Sequence, residues 1–159
     1  MNILPASLLD LSALLKLERA CFENDSWPLL DLMAVLTFPD VVRLKAVADE
    51  RMVGFVAGDP RRSKGFSWIA TIGVLPEFRR RGIAREMLRA CESRLITPRI
   101  RLCVRPENRP AVQLYEQEGY QQIEIWHKYY KDGGDALVME KANGNIGRGD
   151  ESPKPRLAL

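Results

Sequence analysis

Residues 71–85, Thr-Ile-Gly-Val-Leu-Pro-Glu-Phe-Arg-Arg-Arg-Gly-Ile-Ala-Arg, narrow the choice of folds more than any other stretch of the chain. An apolar β-type run ends at Val74, Leu75-Pro76 turns the chain, and three arginines lead into Gly82. From there Ile83, Met87, Leu88, Cys91 and Leu95 recur at helical spacing, with Arg85, Glu86, Arg89, Glu92 and Arg94 off that stripe. A strand followed at once by an amphipathic helix buries both apolar faces when the helix lies on a sheet, so an α/β layer is expected. The turn has a second property. The first N–H groups of a helix have no intrahelical partner and the helix dipole adds partial positive charge, which suits an anion such as a pyrophosphate. Gly82 lets a ligand approach the backbone, and Arg79, Arg80 and Arg81 add charge.

Elsewhere the periodicities alternate. Asn2 to Leu4 reads as a short strand, and Ala6 to Phe22 as a helix with Ser7 at its N-cap and Asp10 three residues on. A turn at Glu23 to Pro28 precedes a second helix from Leu29 to Leu36. Val41 to Ala48 and Met52 to Gly58 form a hairpin, and Phe66 to Val74 the next strand. Arg99 to Arg105 alternates arginines with Ile100, Leu102 and Val104, a half-buried strand. Asn108 caps a helix with Pro110 in its first turn and Gly119 as its stop, and Gln121 to Tyr130 and Ala136 to Lys141 close the series as strands. The sum is a single α/β domain over residues 1–141, with a mixed, mostly antiparallel sheet of about seven strands flanked by about four helices. Residues 142–159, rich in Gly, Asn, Ser and Pro without periodicity, are expected to be a disordered tail.

A chain of 159 residues buries roughly two-thirds of its unfolded surface and needs no disulfide or metal to hold it. Cys21, Cys91 and Cys103 are odd in number and lie in apolar segments, the pattern of reduced thiols in a cytoplasmic protein. His127 stands alone, which excludes a multi-histidine metal site, and no metal is expected. A formal charge of +3 is too small to indicate nucleic acid. Pro5, Asp10, Lys16 and Glu18 break up the N-terminal apolar residues, so neither a secretory leader nor a membrane span is expected.

Three blocks taken together resemble the GCN5-related N-acetyltransferases, the GNAT superfamily. Arg79, Gly82 and Ala84 occupy the first, fourth and sixth places of that family's R/Q-x-x-G-x-G/A loop. Cys103 to Asn108, then Ala111 and Leu114-Tyr115 through Gly119-Tyr120, is similar to its V-R-x-x-N-x-x-A-x-x-L-Y-x-x-x-G-[FY] block. Tyr129-Tyr130 with Asp132 to Met139 resembles the closing segment of the RimI-like subgroup, whose members acetylate protein N-termini, including that of a ribosomal protein. The resemblance implies the GNAT fold and acetyl-CoA as co-substrate. It places Ile72, Gly73, Val74, Arg79, Arg80, Arg81, Gly82, Ile83, Ala84, Arg85, Asn108, Ala111 and Tyr115 at acetyl-CoA, and Trp27, Tyr129 and Tyr130 at the acceptor. It implies a peptide or protein N-terminus as acceptor and a monomer or homodimer.

Acetyl transfer from a thioester to an amine needs a donor to the oxyanion, a base for the ammonium and an acid for the thiolate. On the resemblance, Val74 supplies the donor N–H and Tyr115 the acid. At the place of the family's glutamate or histidine base stands Cys103, whose thiol at an ordinary pKa of ~8.5 is a poor substitute. A water held by Thr71, or Glu107, Glu124 or His127, remains open as the base. So do two other functions: acetylation of a small amine such as an amino acid, polyamine or drug, and acyl-CoA binding without turnover.

Overall fold

The computed structural model describes residues 1–145. Its elements are β1 (Asn2–Pro5), α1 (Leu11–Cys21), α2 (Leu29–Thr37), β2 (Val42–Ala48), β3 (Arg51–Arg61), β4 (Phe66–Val74), α3 (Ile83–Glu92), β5 (Arg99–Val104), α4 (Arg109–Gln117), β6 (Gln121–Trp126) and β7 (Ala136–Ala142). The strands form one sheet in the order β1-β2-β3-β4-β5-β7-β6, antiparallel throughout except where β4 meets β5. Helices α3 and α4 cover one face, with Met87, Leu88 and Cys91 packed on Val53, Val56, Ile100 and Leu102. On the other face, Leu14 and Leu17 of α1 and Leu32, Val35 and Leu36 of α2 pack on Phe55 and Ala57.

Local chemistry explains most boundaries. Ser7 Oγ accepts from the Leu9 N–H at 3.3 Å, and the Asp10 carboxylate accepts from the Ser7 N–H at 2.8 Å, a reciprocal capping box. The expected first helix is split there, because Leu8–Asp10 is a 3-10 turn and the α-helix starts at Leu11. Asp49 and Glu50, with φ of 49° and 59°, make the tight turn of the β2–β3 hairpin.

Strand β3 runs on to Arg61, three residues past the expected Gly58, and two further borders shift. Strand β6 stops at Trp126 instead of reaching Tyr130: Lys128 has φ 53° and donates its N–H to Asp135 Oδ1 at 3.1 Å, which turns the chain out of the sheet. Strand β7 runs on to Ala142, and the buried Asn143 is anchored by its N–H to Pro98 O at 2.8 Å and by Nδ2 to the Leu95 and Thr97 carbonyls. The rest of the expected tail, 146–159, lies outside the described residues.

The irregularity that matters for function is between β4 and β5. They pair only through Phe66–Arg99, Ser67–Ile100 and Trp68–Arg101. Just beyond, a bulge between Ala57 and Gly58 of β3 against Ile69 and Thr71 of β4 re-aims β4, and the parallel strands part.

Candidate functional site

Past the bulge, β4 still pairs with β3, and the Leu75 N–H donates to Val53 O at 2.9 Å. Antiparallel pairs alternate, so Gly73 faces β3 with its backbone groups while Ile72 and Val74 direct theirs into the gap on the β5 side. There the Val74 carbonyl accepts from Arg79 Nε at 3.0 Å and from Cys21 Sγ at 3.3 Å. Among the described residues, no strand pairs with the N–H groups of Ile72 and Val74. Packing accounts for the glycine at position 73. A Cβ there would lie 3.1 Å from the Phe22 ring and 3.4 Å from Cys21 Sγ, so the missing side chain seats the end of α1 against β4.

The turn after β4 has the expected form. Gly82 caps α3 with φ 79° in open space, so its role is conformational, and Arg80 also takes a positive φ of 65°. The first helical bond runs from the Glu86 N–H to Gly82 O at 3.0 Å, which leaves the N–H groups of Ile83, Ala84 and Arg85 without an intrahelical partner. Arg79, Arg80 and Arg81 are exposed around them, Arg81 resting on the Phe78 ring and donating to Glu77 O at 3.1 Å. Arg85 points elsewhere: its guanidinium binds Glu118 at 3.0 Å and Gln117, tying α3 to α4.

Tyr115 reaches the sheet from α4, only 7% exposed, with its ring against Tyr120 at 5.8 Å. Burial pushes its phenol up to about 12. The start of α4 is set by Asn108, whose Oδ1 accepts from the Ala111 N–H at 3.4 Å. Cys103 lies on the opposite face, because Leu102 and Val104 beside it are buried under α3 and α4 and strand side chains alternate. Burial pushes its thiol up to about 11.

On that opposite face a cavity of about 340 Å³ brings Trp27, Cys103 and Tyr129 together. Tyr130 stands beside it under the Arg105 guanidinium, 4.0 Å from the ring centroid. Arg105 fastens the α1–α2 connection to the β6–β7 connection: Nε and Nη2 form a fork on Asp25 at 2.9 and 2.8 Å, and Nη1 and Nη2 reach Asp132 Oδ1 at 3.2 Å. The side chains weighed as bases do not line this cavity. Glu107 pairs with Arg105 at 3.5 Å, Glu124 accepts from Trp126 Nε1 at 2.7 Å, and His127 is 75% exposed against Asp135 at 3.2 Å. Sequence reasoning passed over Glu18. It is 2% exposed, accepts the Trp27 N–H at 3.2 Å, and has its pKa raised by burial. Its position beside Leu17 and between Leu14 and Cys21 on the buried stripe was the available signal.

The model of the acetyltransferase (GNAT) family matches residues 11–120. The chain belongs to the GNAT acetyltransferase family. A GNAT relative, N-alpha-acetyltransferase RimI of Mycobacterium tuberculosis, is 32% identical over 135 residues, covering 82% of this chain and 85% of that protein. The crystal structure of the ribosomal-protein-S18-alanine N-acetyltransferase from Escherichia coli matches with a TM-score of 0.82 at 22% identity, over 96% of this chain and 98% of that one. That of Arabidopsis thaliana NAA60 in complex with acetyl-CoA matches with a TM-score of 0.75 at 22% identity, over 89% and 97%. The GNAT fold expected from the sequence is therefore the fold observed. Among the described residues no helix is long and apolar enough to cross a membrane, and no group of three or more His, Cys, Asp or Glu is placed to hold a metal ion.

Proposed function

We propose that this enzyme transfers the acetyl group of acetyl-CoA to the α-amine of a peptide or protein N-terminus. The N–H groups of Ile72 and Val74, which no strand among the described residues pairs, carry the proposal, flanked on one face by the Gly82 turn and Tyr115 and on the other by the cavity with Trp27 and Tyr129. Relatives that bear the name N-alpha-acetyltransferase support it.

The residues fit acetyl-CoA. The free N–H groups after Gly82 and the guanidiniums of Arg79, Arg80 and Arg81 suit its pyrophosphate. Bound acetyl-CoA supplies an acyl group already activated as a thioester. The Val74 N–H is the donor to the acyl oxygen, fixed in place before reaction because β3 holds the strand from behind. Tyr115, protonated up to about 12, keeps a proton at its hydroxyl for the departing sulfur.

Cys103 does not act as the base, because a thiol at about 11 stays protonated at neutral pH. An α-amine, with a pKa of ~7.7–8.0, frees itself at that pH, whereas a lysine ε-amine at ~10.4 does not. The lack of a carboxylate or histidine at Cys103 thus favours an α-amine as the acceptor. Three free thiols, one of them buried, support a reducing cytoplasmic location.

Incubation with acetyl-CoA and a mixture of free N-terminal peptides, N-blocked lysine peptides, free amino acids and polyamines, with products identified by mass, tests the proposal. Peptides acetylated at the α-amine are expected. Faster acetylation of lysines or of small amines, or no CoA release with any amine, overturns it.

A further inference from the structure

Helix α2 is apolar on every side. Seven of its nine residues are apolar, the exceptions being Asp31 and Thr37. Thr37 turns even its hydroxyl onto the helix, donating from Oγ1 to Met33 O at 2.7 Å. A helix of that composition is normally covered all round, yet only Leu32, Val35 and Leu36 are packed into the core. Leu29, Leu30 and Met33 are exposed, Leu30 to 76%.

The apolar face extends past the helix. Phe38, 60% exposed, follows α2 directly, and Arg43 Nη1 donates to its carbonyl at 2.9 Å. The Leu8–Asp10 turn packs against α2 and adds Leu8 and Leu9, the latter 95% exposed. These six are half of the twelve large apolar side chains exposed among the described residues, so the exposure is concentrated in one region and not scattered. At about 200 Å² for a fully exposed residue of this size, they present roughly 700 Å². That is above the ~300–600 Å² of the largest patch on a typical monomer and close to the ~800 Å² that each partner buries in a standard interface.

Charge selects the occupant. The exposed charges of the two helices are Lys16 and Arg19 on α1 and Asp31 on α2, none of them ion-paired among the described residues. Nearby Asp10 and Asp40 are already taken by Lys45 and Arg62. An anionic lipid surface would call for cations alone. An apolar centre with free charges of both signs is complementary to itself: two copies related by a two-fold axis bury apolar against apolar and offer each Asp31 to the cations of the other copy. None of the six apolar side chains lines the acceptor cavity or belongs to the Gly82 turn, so the face is spare to the reaction.

We propose that the α2 face, with Phe38 and the Leu8–Asp10 turn, is the interface of a homodimer, occupied by a second copy of this chain across a two-fold axis.

Sedimentation analysis of the full chain over a dilution series, with Tm followed at the same concentrations, tests it. The wild type is expected to have twice the 18.1 kDa mass of the chain and to melt higher as it is concentrated. Leu30→Glu and Met33→Glu should each weaken dimerisation by about thirtyfold or more, flatten the dependence of Tm on concentration and leave kcat/KM per chain unchanged. Either variant suffices if the other does not fold. A wild type that stays monomeric throughout, or a dimer that survives both substitutions, overturns the interface. A monomeric wild type that binds phosphatidylserine vesicles through Leu30 assigns the face to a membrane and overturns it equally.

Discussion

Arg105 offers the sharpest test of how the acceptor side is held together. Its side chain is 19% exposed, and Asp25, its fork partner, lies 80 residues earlier in the chain. Arg105→Ala removes a two-point charge-assisted pair, about 1.5–3 kcal/mol for a partly buried example, and a stack over Tyr130 of ~0.5–1 kcal/mol. The freed Asp25 and Asp132 carboxylates regain water, so the lower half of the sum applies, roughly 2–3 kcal/mol. For a domain of this size that corresponds to a fall in Tm of about 4–10 °C. Because the bond joins two loops that border the cavity, the acceptor KM should rise while the acetyl-CoA KM holds. Arg105→Lys keeps the charge without the fork and should recover only part of either effect. A double-mutant cycle with Asp25→Ala isolates the pair by thermal or denaturant unfolding. Effects that add within about 0.5 kcal/mol would mean that Arg105 and Asp25 do not act on each other, and the reasoning fails.

Tyr115→Phe should lower kcat by about 10²-fold or more with little change in the acetyl-CoA KM, since the phenol is used as a proton donor and not as a binding group; turnover at the wild-type level would remove it from the mechanism. Raised thiol pKa values also make stability depend on pH. Cys103 at about 11 and Cys91 at about 12 stay protonated in the fold above the ordinary value of 9.0, so the stability they contribute is complete below about pH 9 and is lost as pH rises through 11–12. Melting temperatures from pH 8 to 10.5 should therefore fall, less steeply in Cys103→Ala, and an unchanged slope in that variant would contradict the assignment. The same variant should leave the rising limb of the pH–rate profile at the acceptor amine's own pKa; a displaced limb would restore Cys103 as a base.

Much of this was legible from sequence because it is local. A proline, a glycine and an apolar stripe are enough to write the strand, turn and helix around Gly82, while Ser7, with Asp10 as its capping-box partner, and Asn108 cap the elements that follow them. What escaped depends on partners far along the chain. The parting of β4 from β5 arises from a bulge against β3, which neither strand's own pattern reveals. Arg85 looked like part of the basic turn until the end of α4 brought Glu118 to it. A row of touching aromatic rings draws Phe66 and Trp68 from β4, Trp126 from β6 and Tyr129 and Tyr130 from the following loop, and it forms only when β7 places β6 across the sheet.

The early end of the β4–β5 ladder gives the molecule an edge in the middle of its sheet. Outer edges, such as those of β1 and β6, are open to any passing strand and are a hazard for aggregation. The edge at Ile72 and Val74 is screened by β5 on one side and by helical layers above and below. A second polypeptide would need ~4.8 Å to the strand on each side and room for side chains on both faces, where the helical layers already pack. A slim ligand with amide groups of its own can lie along it as a substitute strand. On the proposed function that ligand is acetyl-CoA, and pairing β4 fully with β5 would make a better sheet and close the seam the proposal uses.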